Sequence, residues 1–103
     1  MNTNLIFKAL SNEVRVQILE WLKEPDENFG PQIFLPPDSD FKGGICVGSI
    51  QEKTGLAQSV ISSYLTLMKN VGLLESKRFG QWTYYRRDEE KIKAFAEYVK
   101  TQL

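Results

Sequence analysis

Length, composition and charge are typical of a small globular protein and exclude several kinds of chemistry. The 103 residues (11.9 kDa) are 42% apolar and 25% charged, as expected of one folded domain rather than a disordered segment. The formal net charge is zero, and the absence of histidine removes the commonest general base and metal ligand. The single cysteine, Cys46, has no partner for an intramolecular disulfide.

Two helices are predicted at the start of the chain. Asn2 to Leu10 has apolar residues at helical spacing, and Ser11 and Asn12 interrupt the pattern. Ser11 is the predicted N-cap of the second helix, because its hydroxyl can accept from a first-turn amide and Glu13 follows in the first turn. An apolar stripe then continues to Leu22, which indicates an ordinary core helix.

A long loop is predicted from Glu24 to Gly44, where the periodicity stops. All 4 prolines of the chain fall in this loop, together with Gly30, Gly43 and Gly44. Connections longer than about 12 to 15 residues are uncommon in compact domains and are usually functional or disordered. Because this one carries several aromatic and aliphatic residues, we expect it to pack on the domain in extended or short 3₁₀ pieces. A simple core cover is favoured over a ligand lid or a partner surface.

A helix-turn-helix is predicted from residue 47 to residue 71. Val47 to Thr54 forms its first helix, and Gly55 supplies the backbone freedom of a tight turn. Gln58 to Val71 forms the second helix, with one apolar side inward and a serine and threonine face that can approach phosphates and base edges. Ala57, at the expected N-cap, has no side-chain oxygen for the first-turn amides.

A β-hairpin and a last helix complete the predicted elements. Gly72 is expected to end the preceding helix, and residues 73–79 and 81–87 are two strands around Gly80. Residues 88–103 form a helix with acidic residues at its start and a clean apolar stripe. Part of that stripe and the apolar first helix are available for a symmetric partner, so we predict a homodimer through residues 2–10 and 88–103. Intramolecular packing of both is the competing interpretation.

The hairpin combines alternating aromatic residues with cations at its ends. Trp82 and Tyr84 share one face and Thr83 and Tyr85 the other, so one aromatic set is expected to pack against the helices. Between Ile45 and Arg87 six cations oppose two carboxylates, a net charge of +4 inside an otherwise acidic chain. This segregation favours a wing that lies against a sugar-phosphate backbone. Charged strand ends that only block edge pairing remain the alternative.

Three motifs carry a resemblance to a known family. They are AL-S-x-x-x-R-x-x-IL at Ala9 to Leu19, G-L-x-x-S-x-x-S at Gly55 to Ser62, and G-L followed by G-x-W at Gly72 to Trp82. In this order and spacing the chain resembles the ArsR family of dimeric bacterial winged helix-turn-helix repressors, over nearly everything except the 24–44 loop. The expected fold is mainly α with a hairpin wing, in the order helix, helix, long loop, helix, helix, strand, strand, helix.

The resemblance also implies how the parts work. The helix at 58–71 would enter the major groove, residues 73–87 would form the wing, and the first and last helices would form the dimer. The combined candidates for contact with DNA are Gln58, Ser59, Ser62, Ser63, Lys69, Lys77, Arg78, Gln81 and Arg86.

The departures from the family concern sensing. Tyr64 stands where many members have the histidine of a Ser-x-His motif, and Cys46 and Gly48 stand where metal-responsive members have two cysteines. No metal site and no cofactor are therefore predicted. Cys46 could act as a redox switch, although a buried unreactive thiol is favoured. An organic effector lined by Phe29, Phe34, Phe41 or Trp82 is the other alternative.

The favoured function is sequence-specific transcriptional repression by binding to double-stranded operator DNA. The other class considered is a winged helix that binds proteins through the same hairpin. No catalytic constellation is present, because serine and cysteine lack a histidine and the carboxylates are scattered, so the chain is not expected to be an enzyme. With neither a signal segment nor a membrane span in the sequence, we expect a cytoplasmic protein.

Overall fold

The computed structural model describes residues 1–37 and 39–103 and has six helices and three strands within them. In chain order these elements are α1 (Thr3–Leu10), α2 (Glu13–Trp21), α3 (Pro25–Asn28), β1 (Ile45–Cys46), α4 (Val47–Thr54), α5 (Gln58–Asn70), β2 (Leu74–Phe79), β3 (Trp82–Arg87) and α6 (Glu89–Gln102). The predicted class is confirmed, and the order gains two short elements that were not predicted, α3 and β1. None of the described helices has the length and apolar character that a membrane span requires.

The junction between α1 and α2 differs from the prediction in its capping residue. Asn12, not Ser11, is the N-cap of α2, and its side-chain oxygen accepts from the Arg15 amide at 3.0 Å. Ser11 instead ends α1, because its hydroxyl donates to the Lys8 carbonyl at 2.7 Å. The prediction of Ser11 as N-cap was therefore wrong, since its side chain turns back to the preceding helix.

The helix-turn-helix consists of α4 and α5 and is closed by two glycines in the left-handed region. Gly55 (φ 73°) ends α4, and its amide donates to the Gln51 carbonyl at 3.0 Å. Gly72 (φ 92°) follows α5, with bonds from Gly72 N to Lys69 O (3.0 Å) and from Leu73 N to Met68 O (2.9 Å). These two bonds form a Schellman motif, which satisfies the last carbonyls of α5.

The sheet has three antiparallel strands in the order β1-β3-β2. Opposed residues in β2 and β3 include Lys77 with Tyr84 and Glu75 with Arg86, and β1 places Cys46 opposite Tyr84. Because side chains alternate along a strand, these residues share one side of the sheet. We call it the outer face, made up of Cys46, Glu75, Lys77, Phe79, Trp82, Tyr84 and Arg86.

The core lies between the helices and the opposite side of the sheet. Ile61, Leu65 and Met68 of α5 are fully buried, as the predicted i, i+4, i+7 stripe required, and they join Ile18 of α2 and Ile50 of α4. Each such side chain contributes about 1.5–3 kcal/mol of transfer free energy on burial. The buried side of α5 is thus packed against the hydrophobic core.

Both tyrosines of β3 are buried, whereas only one aromatic set was expected to pack. Tyr85 faces the helical core, and Tyr84, which is 1% exposed, lies on the outer face in a T-shaped contact with the Phe79 ring. Burial raises the pKa of Tyr84 above its ordinary value, and the charge of Cys46 adds to the shift. The long loop lies on this outer face, because Phe34 stacks on Trp82, Asp40 pairs with Lys77 and Phe41 packs against Arg86.

The loop packs on the domain as expected, but its described residues form a short α-helix and turns and contain no 3₁₀ segment. Its first part is the short α-helix α3, with Pro25 at its start. Phe29 and Phe41 are buried, while Phe34 is 58% and Ile33 80% exposed. The loop is therefore anchored by two phenylalanines, with more exposed residues between them.

Candidate nucleic-acid interface

The outward side of α5 presents small polar residues. Ser59, Ser63 and Thr66 are exposed at the spacing of one helix face, opposite the buried stripe. Gln58, at the first position of the helix, is also exposed, and Ser62 is half-buried at the edge of this face. Small hydroxyl and amide side chains leave room for a DNA groove to approach the backbone, and they can donate to or accept from base edges.

The N-terminus of α5 is open to solvent. Ala57 is its N-cap and offers no side-chain acceptor to the first-turn amides, as the sequence indicated. These amides lie at the positive end of the helix macrodipole, where phosphate groups are stabilised. The missing cap therefore suits a helix whose first turn meets a polyanion.

Tyr64 fixes the orientation of α5 relative to α2. Its hydroxyl accepts from the Asn12 side-chain amide at 3.3 Å, and the Arg15 guanidinium lies over its ring at 4.9 Å. Sequence comparison noted only the missing histidine at this position. The structure shows that Tyr64 joins α5 to Asn12, the N-cap of α2.

The tip of the wing carries polar and charged side chains near the turn. Arg78 and Gln81 are exposed on either side of Gly80, and Arg78 Nε donates to the Gly80 carbonyl at 2.9 Å. In residues 1–37 and 39–103, no carboxylate pairs with Arg78. Its guanidinium can therefore turn toward a phosphate without breaking an ion pair. Lys69, in the last turn of α5, is exposed as well.

The two remaining wing cations of the predicted set are engaged by other groups. Lys77 forms an ion pair with Asp40 of the loop, and Arg86 pairs with Glu75 of the neighbouring strand. Arg86 also donates to the carbonyls of Asp40 and Lys42, each at 3.2 Å, and is half-buried. The Lys77 hydrogen bond and charge hold the pKa of the Asp40 carboxyl below its ordinary value.

Cys46, the candidate redox residue, sits at the N-cap of α4 and is half-buried. Its Sγ lies 3.3 Å from the Ser49 Oγ, and its amide donates to the Gln32 side chain at 2.9 Å. Across the described part of the chain, no three histidine, cysteine, aspartate or glutamate residues are grouped to hold a metal ion.

The aromatic residues suggested as an effector lining lie in different settings in the described part of the chain. Phe34 stacks on Trp82, and Phe41 is buried beside Arg86. Phe29 instead borders a cavity of about 460 Å³ together with Gln32 and Leu35. The other three predicted lining residues do not border this cavity.

A helix-turn-helix backed by the core, an adjoining hairpin and a polar outward helix face define a winged helix-turn-helix protein. Comparison with individual known proteins, but not with family models, gives the same class. No protein-family model matches the chain. The uncharacterized HTH-type transcriptional regulator YbzH of Bacillus subtilis is 46% identical over 98 residues, covering 95% of both chains. A cadmium resistance transcriptional regulatory protein CadC homolog from Staphylococcus aureus is 27% identical over 97 residues, covering 94% of this chain and 66% of the other.

A solved structure extends the likeness to three dimensions. The homodimeric winged helix-turn-helix DNA-binding domain of a possible ArsR-family regulator from Mycobacterium bovis superposes with a TM-score of 0.64 at 28% identity. The match covers 96% of this chain and 76% of that one. The chain belongs to the ArsR family of winged helix-turn-helix transcriptional regulators.

Proposed function

We propose that the protein is a dimeric repressor that binds a palindromic operator and excludes polymerase from it. The observation that supports this best is the exposed polar face of α5, which projects from a core-backed helix whose N-terminus is uncapped. In helix-turn-helix proteins the second helix enters the major groove, and its N-terminal residues reach base edges. Gln58, Ser59, Ser62 and Ser63 would then read bases and nearby phosphates.

The wing would contact the DNA backbone next to the groove. Arg78 and Gln81 at the tip, with Lys69 at the end of α5, are exposed and suited to phosphates. Lys77 and Arg86 belong to the same proposed set, but both already have protein partners. Any contribution of Arg86 to DNA binding would be added to its structural role between the loop and the sheet.

The dimer would form through α1 and α6, as the sequence predicted. Phe7 of α1 packs edge-on against Phe95 of α6 within one subunit, with ring centroids 5.2 Å apart. Leu5, Phe7 and Leu103 nevertheless remain 46%, 40% and 80% exposed. Burying such residues against a second copy would remove apolar surface from water and place two α5 helices about one DNA turn apart.

The remaining features of the proposal follow from the residues present. Neither inherited metal site has its full ligand set in this chain, so we propose no metal or cofactor dependence. A repressor acts where the chromosome is, and the expected cytoplasmic location is part of the same proposal. The segments would divide as helix-turn-helix (47–71), wing (73–87) and dimerisation helix (88–103).

Fluorescence anisotropy with labelled duplexes tests this function. The wild-type chain is expected to bind a duplex of random sequence weakly, with affinity that falls steeply as salt rises, because phosphate neutralisation releases counterions. A duplex containing the operator should bind at least about a thousandfold more tightly. Failure to bind any duplex even at low salt would favour the winged helix as a protein-binding module.

A further inference from the structure

The loop segment between the buried phenylalanines crosses the outer face of the sheet. We call residues 32–37 and 39–44 the strap. The ring of Phe34 stacks on Trp82 with centroids 5.0 Å apart and an angle of 8° between the rings. Asp40 pairs with Lys77, and the ring of Phe41 lies 4.2 Å from the Arg86 guanidinium. The strap thus contacts Trp82 and Arg86 of β3 and also Lys77 of β2, which pairs with Tyr84 between them.

The contacts of the strap fall into two kinds that differ in how easily they can open. At its ends the strap is fixed, because Gln32 accepts from the Cys46 amide at 2.9 Å and Phe41 is only 4% exposed. Between these points, Phe34 is 58% exposed and the Asp40 side chain 79% exposed. The exposed ion pair is weak and screened by salt. The stack on Trp82 leaves more than half of Phe34 in water, so the middle of the strap can leave the sheet while its ends stay in place.

The Asp40 carboxylate binds the Lys77 ammonium, the group that would otherwise bind a DNA phosphate. The Lys77 side chain is 44% exposed, and its ammonium donates to the Asp40 carboxylate. An ammonium group that pairs with a carboxylate gains little from an added phosphate, because counterion release requires the cation to neutralise the DNA charge. Arg78, one residue further along β2, lies on the opposite side of the strand and has no such partner in the described ranges.

We infer that the strap sets the affinity of the wing for DNA by acting as an intramolecular competitor for phosphate at Lys77. This inference rests on the proposed function. With the strap closed, the wing offers Arg78, and Lys77 is occupied by Asp40. With the middle of the strap open, Lys77 becomes a second phosphate ligand, while Arg86 stays bound to Glu75 and to the Lys42 carbonyl. Asp40 and Phe34 are positioning residues in this scheme, since Asp40 acts through Lys77 and Phe34 holds the strap against the sheet by stacking on Trp82.

Salt-dependent binding of the full-length chain to a random duplex tests the inference. Asp40→Asn removes the competing charge, so we expect tighter binding at low salt and a slope of log K against log salt steeper by about 0.9 per subunit. Asp26→Asn, the same substitution on α3, is the matched control for the loss of one negative charge, and it should leave the slope near the wild-type value. Equal slopes for the two variants would overturn the inference.

A double-mutant cycle separates release of Lys77 from a general effect of charge. Lys77→Gln should lower the affinity for the duplex more in the Asp40→Asn background than in the wild type, because Asp40 then no longer occupies the ammonium. In the Lys77→Gln background, Asp40→Asn should no longer steepen the slope. A gain that survives without Lys77, or equal losses from Lys77→Gln in the two backgrounds, would overturn the proposal.

A charge-neutral variant tests the strap itself. Phe34→Ala removes the stack on Trp82, so it should raise the affinity for the duplex and steepen the salt dependence, as Asp40→Asn does. Ile33 is the neighbouring residue and is 80% exposed, so Ile33→Ala should change neither quantity. Weaker binding by Phe34→Ala would show that the strap supports the wing instead, and would overturn the inference.

If the wild-type chain binds no duplex, the proposed function fails first. If it binds and none of the variants differs from it, the inference alone fails.

Discussion

The side chain of Asn12 connects two helices, because its oxygen caps α2 at the Arg15 amide (3.0 Å) and its nitrogen donates to the Tyr64 hydroxyl (3.3 Å) on α5. Tyr64→Phe removes only the second bond and should lower the free energy of unfolding by about 1 kcal/mol. Asn12→Ala removes both and should cost about 2 kcal/mol. Urea denaturation followed by circular dichroism, at one fixed protein concentration, measures both variants.

Asn12→Ser is the matched control for this pair. Serine retains the capping oxygen but is too short to reach Tyr64, so its cost should be close to that of Tyr64→Phe. Equal stability of Tyr64→Phe and the wild type would show that the 3.3 Å contact contributes nothing in solution.

The reading helix and the wing should respond differently to truncation. Gln58→Ala should lower the preference for the operator at one base position by about 1–3 kcal/mol, since glutamine can pair with adenine in the major groove. Arg78→Ala should weaken binding to every duplex alike and flatten the salt slope by about 0.9 per subunit. Anisotropy with operator and random duplexes over a salt series gives both quantities.

Two exposed residues on other elements serve as controls for these changes. Gln17→Ala on α2 and Lys23→Ala just after α2 remove one amide and one positive charge at exposed positions, and they should leave specificity and salt slope unchanged. Uniform losses from Gln58→Ala across all duplexes would count against base reading by α5.

The buried stripe of α5 offers a direct measure of how firmly the core holds that helix. Leu65 is fully buried and Leu67, two residues on, is 37% exposed. Leu65→Ala should lower the free energy of unfolding by about 2–5 kcal/mol, because the substitution leaves a cavity. Leu67→Ala should change it by about 0.5 kcal/mol or less. Similar effects of the two in urea denaturation would contradict the burial pattern.

The ion pair between strap and wing predicts a specific titration. Because the Lys77 hydrogen bond and charge lower the pKa of Asp40, its carboxyl should titrate below 3.8 in the folded protein. A lowered folded-state pKa means that the contact is present above the unfolded-state value and is lost as pH falls through the folded-state value. Carboxyl carbon chemical shifts measured by NMR should show this midpoint, and Lys77→Gln should return it toward 3.8. An unchanged midpoint in Lys77→Gln would show that the pair does not form in solution.

The parts of the fold that sequence patterns predicted are those set by local interactions. The helix from Val47 to Thr54 has the bounds that were expected, because Gly55 stops it by adopting a positive φ. The stripe of Ile61, Leu65 and Met68 is buried as its spacing required. The wing strands each begin one residue later than predicted, at Leu74 and Trp82, where pairing with the neighbouring strand starts.

The parts that were missed depend on residues distant in sequence, with one exception. The strand β1 has two residues and forms only because Ile45 and Cys46 pair with Tyr85 and Tyr84. The ion pair of Asp40 with Lys77 joins positions 37 residues apart, so no local pattern could reveal it. The exception is α3, since Pro25 at its first position is a recognised signal for a helix start and was overlooked among the other prolines of the loop.

The candidate site likewise contains residues that local patterns predicted and residues whose state depends on distant contacts. The polar face of α5 follows from helical periodicity, so Ser59 and Ser63 could be predicted to be exposed. Strand alternation placed Trp82 with Tyr84, but nothing in the sequence indicated that the loop covers this side of the wing. The availability of Lys77 and Arg86 therefore depends on tertiary contacts that only the structure shows.

Selection of duplexes from a random pool by the full-length wild-type chain tests the central claim of sequence-specific binding by a dimer most directly. A dimeric winged helix-turn-helix repressor should enrich an inverted repeat whose half-site centres are about 10–10.5 base pairs apart, because the two reading helices enter successive major grooves on one side of the DNA. A pool that remains random after repeated rounds at low salt would contradict sequence-specific binding, and enrichment of a single half-site without symmetry would contradict the dimer.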